Sequence, residues 1–225
     1  MRHDFPLMLF AAGFGTRMGA LTADRPKPMI EVAGKPLIDH ALAQAEGVGR
    51  IVANVHWKPD ALAKHLEARG VAVTREDPIL ETGGGLRAAL PLLGEGPVMT
   101  LNTDAVWTGE NPLAQLRDAW DDGRMDGLLL VLPDAAAGKG AGDFVMDAEG
   151  RLGRAKGARG QVYLGAQILR TEGLSAITET VFSLNLLWDR MIAAGRLYGV
   201  VHRGGWCDVG HPAGIAEAEA MLARA

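Results

Sequence analysis

The stretch Leu7-Met-Leu-Phe-Ala-Ala-Gly-Phe-Gly-Thr-Arg-Met18 decides how the rest of the chain is read. Six apolar residues end abruptly at Gly13, which is the length and composition of a buried first strand feeding a glycine loop. In an open α/β sheet, ligands bind beyond the carboxyl ends of the strands. A Gly-x-Gly turn at that edge exposes backbone N–H groups that suit phosphate, and Arg17 adds a planar cation. Two familiar alternatives fail on spacing. Gly13-x-Gly15-x-x-x-Gly19 is one residue too long for the dinucleotide fingerprint, and no Gly-x-x-x-x-Gly-Lys-Ser/Thr occurs for a P-loop. By themselves the glycines equally describe a strand-exit turn, with Arg17 a solvated surface charge.

Next comes Arg25-Pro-Lys-Pro-Met29. The flanking prolines hold the chain stiff and extended, so Lys27 has little conformational freedom to lose and suits a buried phosphate. From Pro36 the apolar residues Leu37, Ile38, Ala41, Leu42 and Ala45 share one helical face and Gly47 lies beyond the end, which predicts an amphipathic helix. Strand patterns at 50–55, 71–75 and 97–101 alternate with helical ones at 59–69 and 84–93, the signature of a parallel α/β sheet. After Trp107 the order loosens. A helix near 112–121, a strand at 128–132, a glycine-rich patch at 138–142, strands at 143–147 and 161–169, a helix near 182–194 and a strand at 197–201 predict a mixed extension packed on that sheet. A last helix follows Pro212, with Ile215, Ala218 and Leu222 on one face. The expected fold class is α/β: a Rossmann-like, mostly parallel sheet flanked by helices, with a small mixed β extension. One domain spanning 1–225 is expected.

Composition narrows the function classes. The chain has 225 residues, 48% apolar and 22% charged, which is ordinary for a folded domain and excludes a disordered or fibrous one. No apolar run reaches the 18 or so residues of a membrane-spanning helix, and the amino terminus carries no signal-peptide pattern, so a cytoplasmic location and no membrane partner are expected. A net charge of −4 argues against a nucleic-acid surface. Residues 1–35 nevertheless carry five basic against three acidic side chains, so positive charge gathers where the glycines are. The single cysteine, Cys207, rules out an internal disulfide or a zinc knuckle. Histidines 3, 40, 56, 65, 202 and 211 show no ligand spacing.

Taken together, Leu9 to Met18 (Leu-Phe-Ala-Ala-Gly-Phe-Gly-Thr-Arg-Met), Pro26-Lys-Pro28 and Gly34-Lys-Pro36 resemble the opening signature of the sugar-1-phosphate nucleotidyltransferases. The resemblance extends along nearly the whole chain. It is strongest to the short bacterial members that make UDP-N-acetylmuramic acid from N-acetylmuramic acid 1-phosphate, whose patterns are matched by Glu81-Thr-Gly-Gly-Gly85, Gly142-Asp-Phe144 and Trp206-Cys-Asp-Val-Gly210. It implies an enzyme that joins a nucleoside triphosphate, most simply UTP, to a sugar 1-phosphate and releases pyrophosphate. Guanylyl transfer to mannose 1-phosphate is the second reading within the class.

The resemblance implies a nucleotide-binding first half (about 1–110) and a sugar-binding second half (about 111–225), and assigns roles residue by residue. Ala11, Ala12, Gly13, Gly15, Thr16 and Arg17, with Thr82, Gly83, Gly84 and Gly85, would bind the nucleotide. Lys27, Gly142, Asp143, Gly165 and Asn185 would border the sugar phosphate, and Arg17 and Lys27 would be catalytic. Asp104 and Asp208 would hold Mg²⁺. Asp104 follows the apolar strand 97–101, which puts it at the same sheet edge as the glycine loop. Asp208 follows the apolar run 197–201. The family usually has Gly-Asp where this chain has Thr103-Asp104, so a β-branched residue is expected to narrow that site. Trp57, Trp107 and Trp206 are candidates to shape the pocket. The chain has no room for the carboxy-terminal β-helix or acyltransferase domain that some relatives carry, so a monomer or small homo-oligomer is expected. Two other classes stay open: a glycosyltransferase, which would normally need an Asp-x-Asp that this chain lacks, and a non-catalytic nucleotide-sugar sensor.

Overall fold

The computed structural model describes residues 4–138 and 140–225; Lys139 of the glycine-rich patch and residues 1–3 lie outside the described residues. The first strand, β1 (Leu7–Phe10), leads into the glycine loop, a kinked 3-10 segment at Thr16–Thr22 and a short 3-10 turn at Lys27–Met29. A small antiparallel ribbon follows, β2 (Glu31–Val32) with β3 (Lys35–Pro36). Then come α1 (Leu37–Gln44), β4 (Ile51–Val55), α2 (Pro59–Glu67), β5 (Ala72–Arg75), α3 (Glu81–Leu93) and β6 (Val98–Asn102). The remainder comprises β7 (Ala105–Gly109), α4 (Pro112–Ala119), β8 (Gly127–Pro133), β9 (Phe144–Met146), β10 (Leu152–Arg154), β11 (Gln161–Leu169), α5 (Asn185–Ala193), β12 (Leu197–Val201), β13 (Gly204–Asp208) and α6 (Ala213–Leu222).

The main sheet has nine strands in the order β10-β9-β11-β6-β1-β4-β5, with β8 pairing β11 and β12 pairing β8. β1 sits between β4 and β6 in parallel, and Phe10 is in register with both Asn54 and Asn102. The carboxyl ends of three parallel strands therefore finish level, with two amides beside the start of the glycine loop. Strand β11 runs antiparallel to β6 and β8, which turns the parallel half into the expected mixed extension. Apolar helix faces cover both sides. Leu62, Ala63 and Leu66 of α2 pack with Leu7 and Leu9 on one, and Leu86, Ala89 and Leu93 of α3 pack with Met8 and Val52 on the other. Local chemistry sets the helix starts. The Asn111 side chain accepts hydrogen bonds of 2.9 Å from the amides of both Leu113 and Ala114, and Pro112 fills the first helical position of α4, where no donor is missed. Among the described residues, no helix is long and apolar enough to cross a membrane.

A smaller, third core lies beneath the glycine loop. Met18, Ile30, Val32, Leu37, Val106, Val209 and Ala218 bury one another there, so the loop is anchored to an arm built from β7 and β13. The alternation of strands and helices through the first hundred residues is as the sequence predicts. Two features differ. Helix α3 begins at Glu81 rather than at 84, because Thr82–Gly85 form its first turn, packed against residues 180–182. The arm itself is not anticipated: Asp208 ends its own strand, β13, instead of following the run 197–201, and β13 pairs with β7 almost a hundred residues away. Gly204 and Gly205 break the apolar pattern that would have marked β13. They are glycine because any Cβ there would collide with Thr108.

Candidate active site

Two cavities meet at the carboxyl edge of the sheet. The first, about 200 Å³, is lined by Ala11, Ala12 and Gly13 of the glycine loop, by Lys27, Asn54, Glu76, Glu81 and Thr82, and by Asn102, Thr103 and Asp104. The second, about 310 Å³, is lined by Arg17, Asn102, Asp104, Asp143, Val162–Gly165, Trp206 and Asp208. Asn102 and Asp104 line both, so they mark the junction. The second cavity follows from the strand pairing. β11 pairs with β6 through Ala166–Leu169 and with β9 at Gln161, and the stretch between, Val162–Gly165, forms the cavity wall. Gly165 is required there. Its φ is +85°, and a Cβ would lie 2.8 Å from Cβ of Asn102.

The charged groups converge on the junction. Lys27, only 9% exposed, donates to Oδ2 of Asp104 at 2.8 Å. The two aspartates are held side by side by the arm: Asp208 is in register with Ala105, and the amide of Val209 donates to the Asp104 carbonyl at 2.8 Å. Arg17 reaches the same place, since a Cβ on Gly210 would come within 3.0 Å of the Asp208 carboxylate and 3.2 Å of the Arg17 guanidinium. Burial of Met18, the next residue, fixes that approach. Thr103 lines the first cavity beside Asp104. Its hydroxyl donates to the Phe10 carbonyl at 2.8 Å, so the β-branched side chain ties β6 to β1.

The donor set fits a hard divalent cation. Among the described residues no group of three His, Cys, Asp or Glu side chains is arranged to hold a metal. Two neighbouring carboxylates are nonetheless the set that Mg²⁺ uses when water and phosphate oxygens complete its shell.

Other expected residues occupy different places. Gly15 and Thr16 do not line either cavity; a Cβ on Gly15 would meet Thr22 at 2.9 Å and Lys27 at 3.0 Å, so this glycine lets the loop close over the lysine. The glycines of α3 serve packing. The amides of Gly83 and Gly84 already donate to the Phe182 carbonyl at 2.9 and 3.1 Å. A Cβ on Gly83 would overlap the Phe182 ring, one on Gly84 the Thr180 carbonyl, and one on Gly85 the Glu76 carboxylate. Gly142 likewise lets Gly160 and Gln161 come close, leaving Asp143 to face the cavity with one carboxylate oxygen accepting from the Tyr163 amide at 2.9 Å. Asn185 is not brought to either cavity. It opens α5, where its side chain donates to Ser183 at 3.0 Å and its carbonyl accepts from Arg154 at 3.2 Å. Of the three tryptophans, Trp206 lines the second cavity and donates to the Leu164 carbonyl at 3.0 Å; Trp107 is buried against His202, and Trp57 lies behind the glycine loop.

Sequence reasoning missed a buried polar chain in the first cavity. Asn54 accepts from the Ala11 amide at 2.8 Å and donates to Glu76 at 2.7 Å, and the other Glu76 oxygen accepts from the Leu80 amide at 2.8 Å. The available signal was position: Asn54 and Asn102 interrupt apolar strands at their carboxyl ends, and Glu76 follows directly on a strand. Tyr163, in the second cavity wall, has its hydroxyl pushed far above the ordinary range by burial, so it stays neutral.

Known proteins share this architecture. Residues 7–217 match the MobA-like NTP transferase domain. The chain is 42% identical, over 97% of both sequences, to the N-acetylmuramate alpha-1-phosphate uridylyltransferase of Caulobacter vibrioides. It is 33% identical to the protein of the same description from Neisseria meningitidis, covering 95% of this chain and 96% of that one. Among solved structures, HddC from Yersinia pseudotuberculosis superposes with a TM-score of 0.76 at 21% identity, over 97% of this chain and 99% of its own. A Bacillus anthracis structure described as a putative glucose-1-phosphate thymidylyltransferase superposes with a TM-score of 0.78 at 16% identity, over 98% and 95%. These two share the fold. The cavity pair at the carboxyl edge, the glycine loop over Lys27 and the match along nearly the whole length lead to one assignment: the chain belongs to the MobA-like NTP transferase domain family.

Proposed function

We propose that this protein transfers a uridylyl group from UTP to N-acetylmuramic acid 1-phosphate, forming UDP-N-acetylmuramic acid and pyrophosphate. The observation that carries the reading is the convergence of Lys27, Arg17, Asp104 and Asp208 on the junction of two cavities, one beside the glycine loop and one beside Asp143 and Gly165. The 42% identity to the Caulobacter vibrioides uridylyltransferase supports the choice of base and sugar.

In this mechanism the base and ribose occupy the first cavity and the sugar ring the second, so that the phosphates of both substrates meet at the junction, within reach of Lys27, Arg17 and Asp104. An oxygen of the sugar phosphate attacks the α-phosphorus in line. A new P–O bond forms as the bond from the α-phosphorus to the bridging oxygen breaks, and pyrophosphate leaves with that electron pair. The attacking phosphate is already ionised at neutral pH, so no general base is needed and catalysis consists of positioning and charge stabilisation. Arg17 and the amides around Gly13 hold the departing phosphates. Lys27 exchanges its Asp104 partner for the α-phosphate and the incoming sugar phosphate. Asp104 and Asp208 would hold Mg²⁺, which when bound neutralises charge on the phosphate oxygens. The reading includes a cytoplasmic location and a monomer or small homo-oligomer.

The test crosses UTP, dTTP, GTP, CTP and ATP with the 1-phosphates of N-acetylmuramic acid, mannose, glucose and N-acetylglucosamine in the presence of Mg²⁺, with pyrophosphate as the readout. UTP with N-acetylmuramic acid 1-phosphate is expected to give the highest kcat/KM. Preference for GTP with mannose 1-phosphate would replace it with the second reading, and no pyrophosphate from any pair would leave a non-catalytic binder.

A further inference from the structure

The glycine loop is held from behind by a side chain that lines neither of the two cavities. Trp57, half-buried at the corner between β4 and α2, donates its indole N–H to the Thr22 carbonyl at 3.0 Å. The Thr22 hydroxyl in turn points at two carbonyls, Gly15 at 3.1 Å and Gly19 at 3.2 Å. Those two glycines bracket Arg17, and both have positive φ, +66° and +58°. A 3-10 segment interrupted by a left-handed residue has little hydrogen bonding of its own to keep its shape. The Thr22 hydroxyl therefore closes the turn that presents Arg17, and its methyl group fills the space that a Cβ on Gly15 would take, 2.9 Å away, with Lys27 on the other side at 3.0 Å.

A second contact runs in parallel. Phe14, 44% exposed between Gly13 and Gly15, stands edge-on to the His56 ring at 4.8 Å and packs against Trp57 at 6.0 Å. His56 bonds the Glu76 carbonyl at 2.9 Å, and Glu76 is a wall of the first cavity. The loop is thus clasped to the β4–α2 corner at both its tip and its end.

We infer that Trp57 and Thr22 are positioning residues for the nucleotide: they act through Arg17, holding its loop in the shape that meets the triphosphate. The inference rests on the nucleotidyl-transfer reading and adds to it the residues that preorganise the phosphate grip. Loss of either hydrogen bond should weaken nucleotide binding by about tenfold, the scale of one or two net hydrogen bonds. Sugar-phosphate binding should not change.

The experiment uses the whole protein with UTP and Mg²⁺. Thr22→Val removes the hydroxyl and keeps the shape, Trp57→Phe removes the N–H and keeps a ring, and Thr22→Ser restores the hydroxyl. Calorimetric UTP affinity and the KM for UTP are expected to worsen about tenfold in the first two variants. The KM for N-acetylmuramic acid 1-phosphate should stay within about twofold, melting temperatures within a few degrees, and Thr22→Ser should recover. In an Arg17→Ala background, Thr22→Val should add less than about twofold, because two residues acting through one contact are not additive. Unchanged UTP affinity in both Thr22→Val and Trp57→Phe would overturn the inference, as would a full additional loss in the Arg17→Ala background. Failure of the wild-type protein to make pyrophosphate would instead sink the reaction, and UTP affinity would still decide the role of the clasp.

Discussion

The ammonium of Lys27 lies 2.8 Å from Oδ2 of Asp104, at the junction where both cavities meet. A buried cation beside a carboxylate is strongly oriented, and a charged ligand that enters must replace what the partner supplies. Triphosphate oxygens can do so for Lys27, and a divalent cation can do so for Asp104. In the proposed reaction the pair would keep both groups in place until substrate takes each of them over.

Lys27→Met is expected to lower kcat for pyrophosphate release by about 10²-fold or more, the scale of losing one preorganised electrostatic group. The fold should survive, because Met retains most of the buried stem. Steady-state assays with circular dichroism on the same samples check both parts, and a folded Lys27→Met protein with full turnover would remove Lys27 from the mechanism.

Asp208→Asn is expected to abolish most turnover and to weaken Mn²⁺ binding to the protein–UTP complex, measured by electron paramagnetic resonance. The amide keeps the shape at the end of β13, so the arm should remain paired with β7. Loss of about 10²-fold in rate with undiminished Mn²⁺ affinity would separate Asp208 from the cation and leave it an electrostatic role alone.

Gly83→Ala tests whether the α3 glycines serve packing or ligand. A Cβ there overlaps the Phe182 ring, and overpacking of this kind costs about 1–3 kcal/mol. The expected outcome is a melting temperature lower by several degrees with kcat nearly unchanged in the protein that remains folded. A large rise in the KM for UTP at unchanged stability would instead put Gly83 against the nucleotide.

Acid should destabilise the arm that carries Asp208. His202, buried against Trp107 and hydrogen-bonded to Gln115 at 2.9 Å, is held below the ordinary imidazole range by burial, reinforced by the Arg203 charge and opposed by nearby backbone groups and Glu110. Because its folded pKa is depressed, the unfolded chain takes up the proton first as pH falls through about 6.5. The stability this residue contributes is complete above that pH and is lost below it, toward the folded value. Urea midpoints at pH 7.5 and 5.5 should differ more for the wild-type protein than for His202→Gln; equal differences would assign the pH dependence to other groups.

Much of the site could be read along the chain because it is local. The strand Leu7–Phe10, the glycine loop with Arg17, and the proline-framed Lys27 lie within about twenty residues, and each announces itself by composition. Asp104 lies two residues beyond a buried strand, which puts it at the right sheet edge, but its role came from the resemblance. Asp208 was legible only through its resemblance to a known motif. Its strand, β13, is glycine-rich and pairs with β7, and no periodicity within Gly204–Asp208 reveals that partner. Asn54 and Glu76 went unread for a related reason: each is one polar residue at the end of an apolar segment, and its meaning depends on the neighbouring strand ends finishing level.

Chain chemistry alone determined the α/β alternation, since the switch between contiguous apolar runs and helical spacing dictates which backbone can bury them. It also determined that phosphate-seeking groups gather near the amino terminus. Tertiary structure decided what each glycine makes room for, because a missing Cβ has the same cause in every case: something else occupies its space. At Gly165 that neighbour is Asn102 at the cavity junction, and at Gly83 it is the ring of Phe182. Only the folded arrangement, which brings together residues far apart along the chain, distinguishes the two.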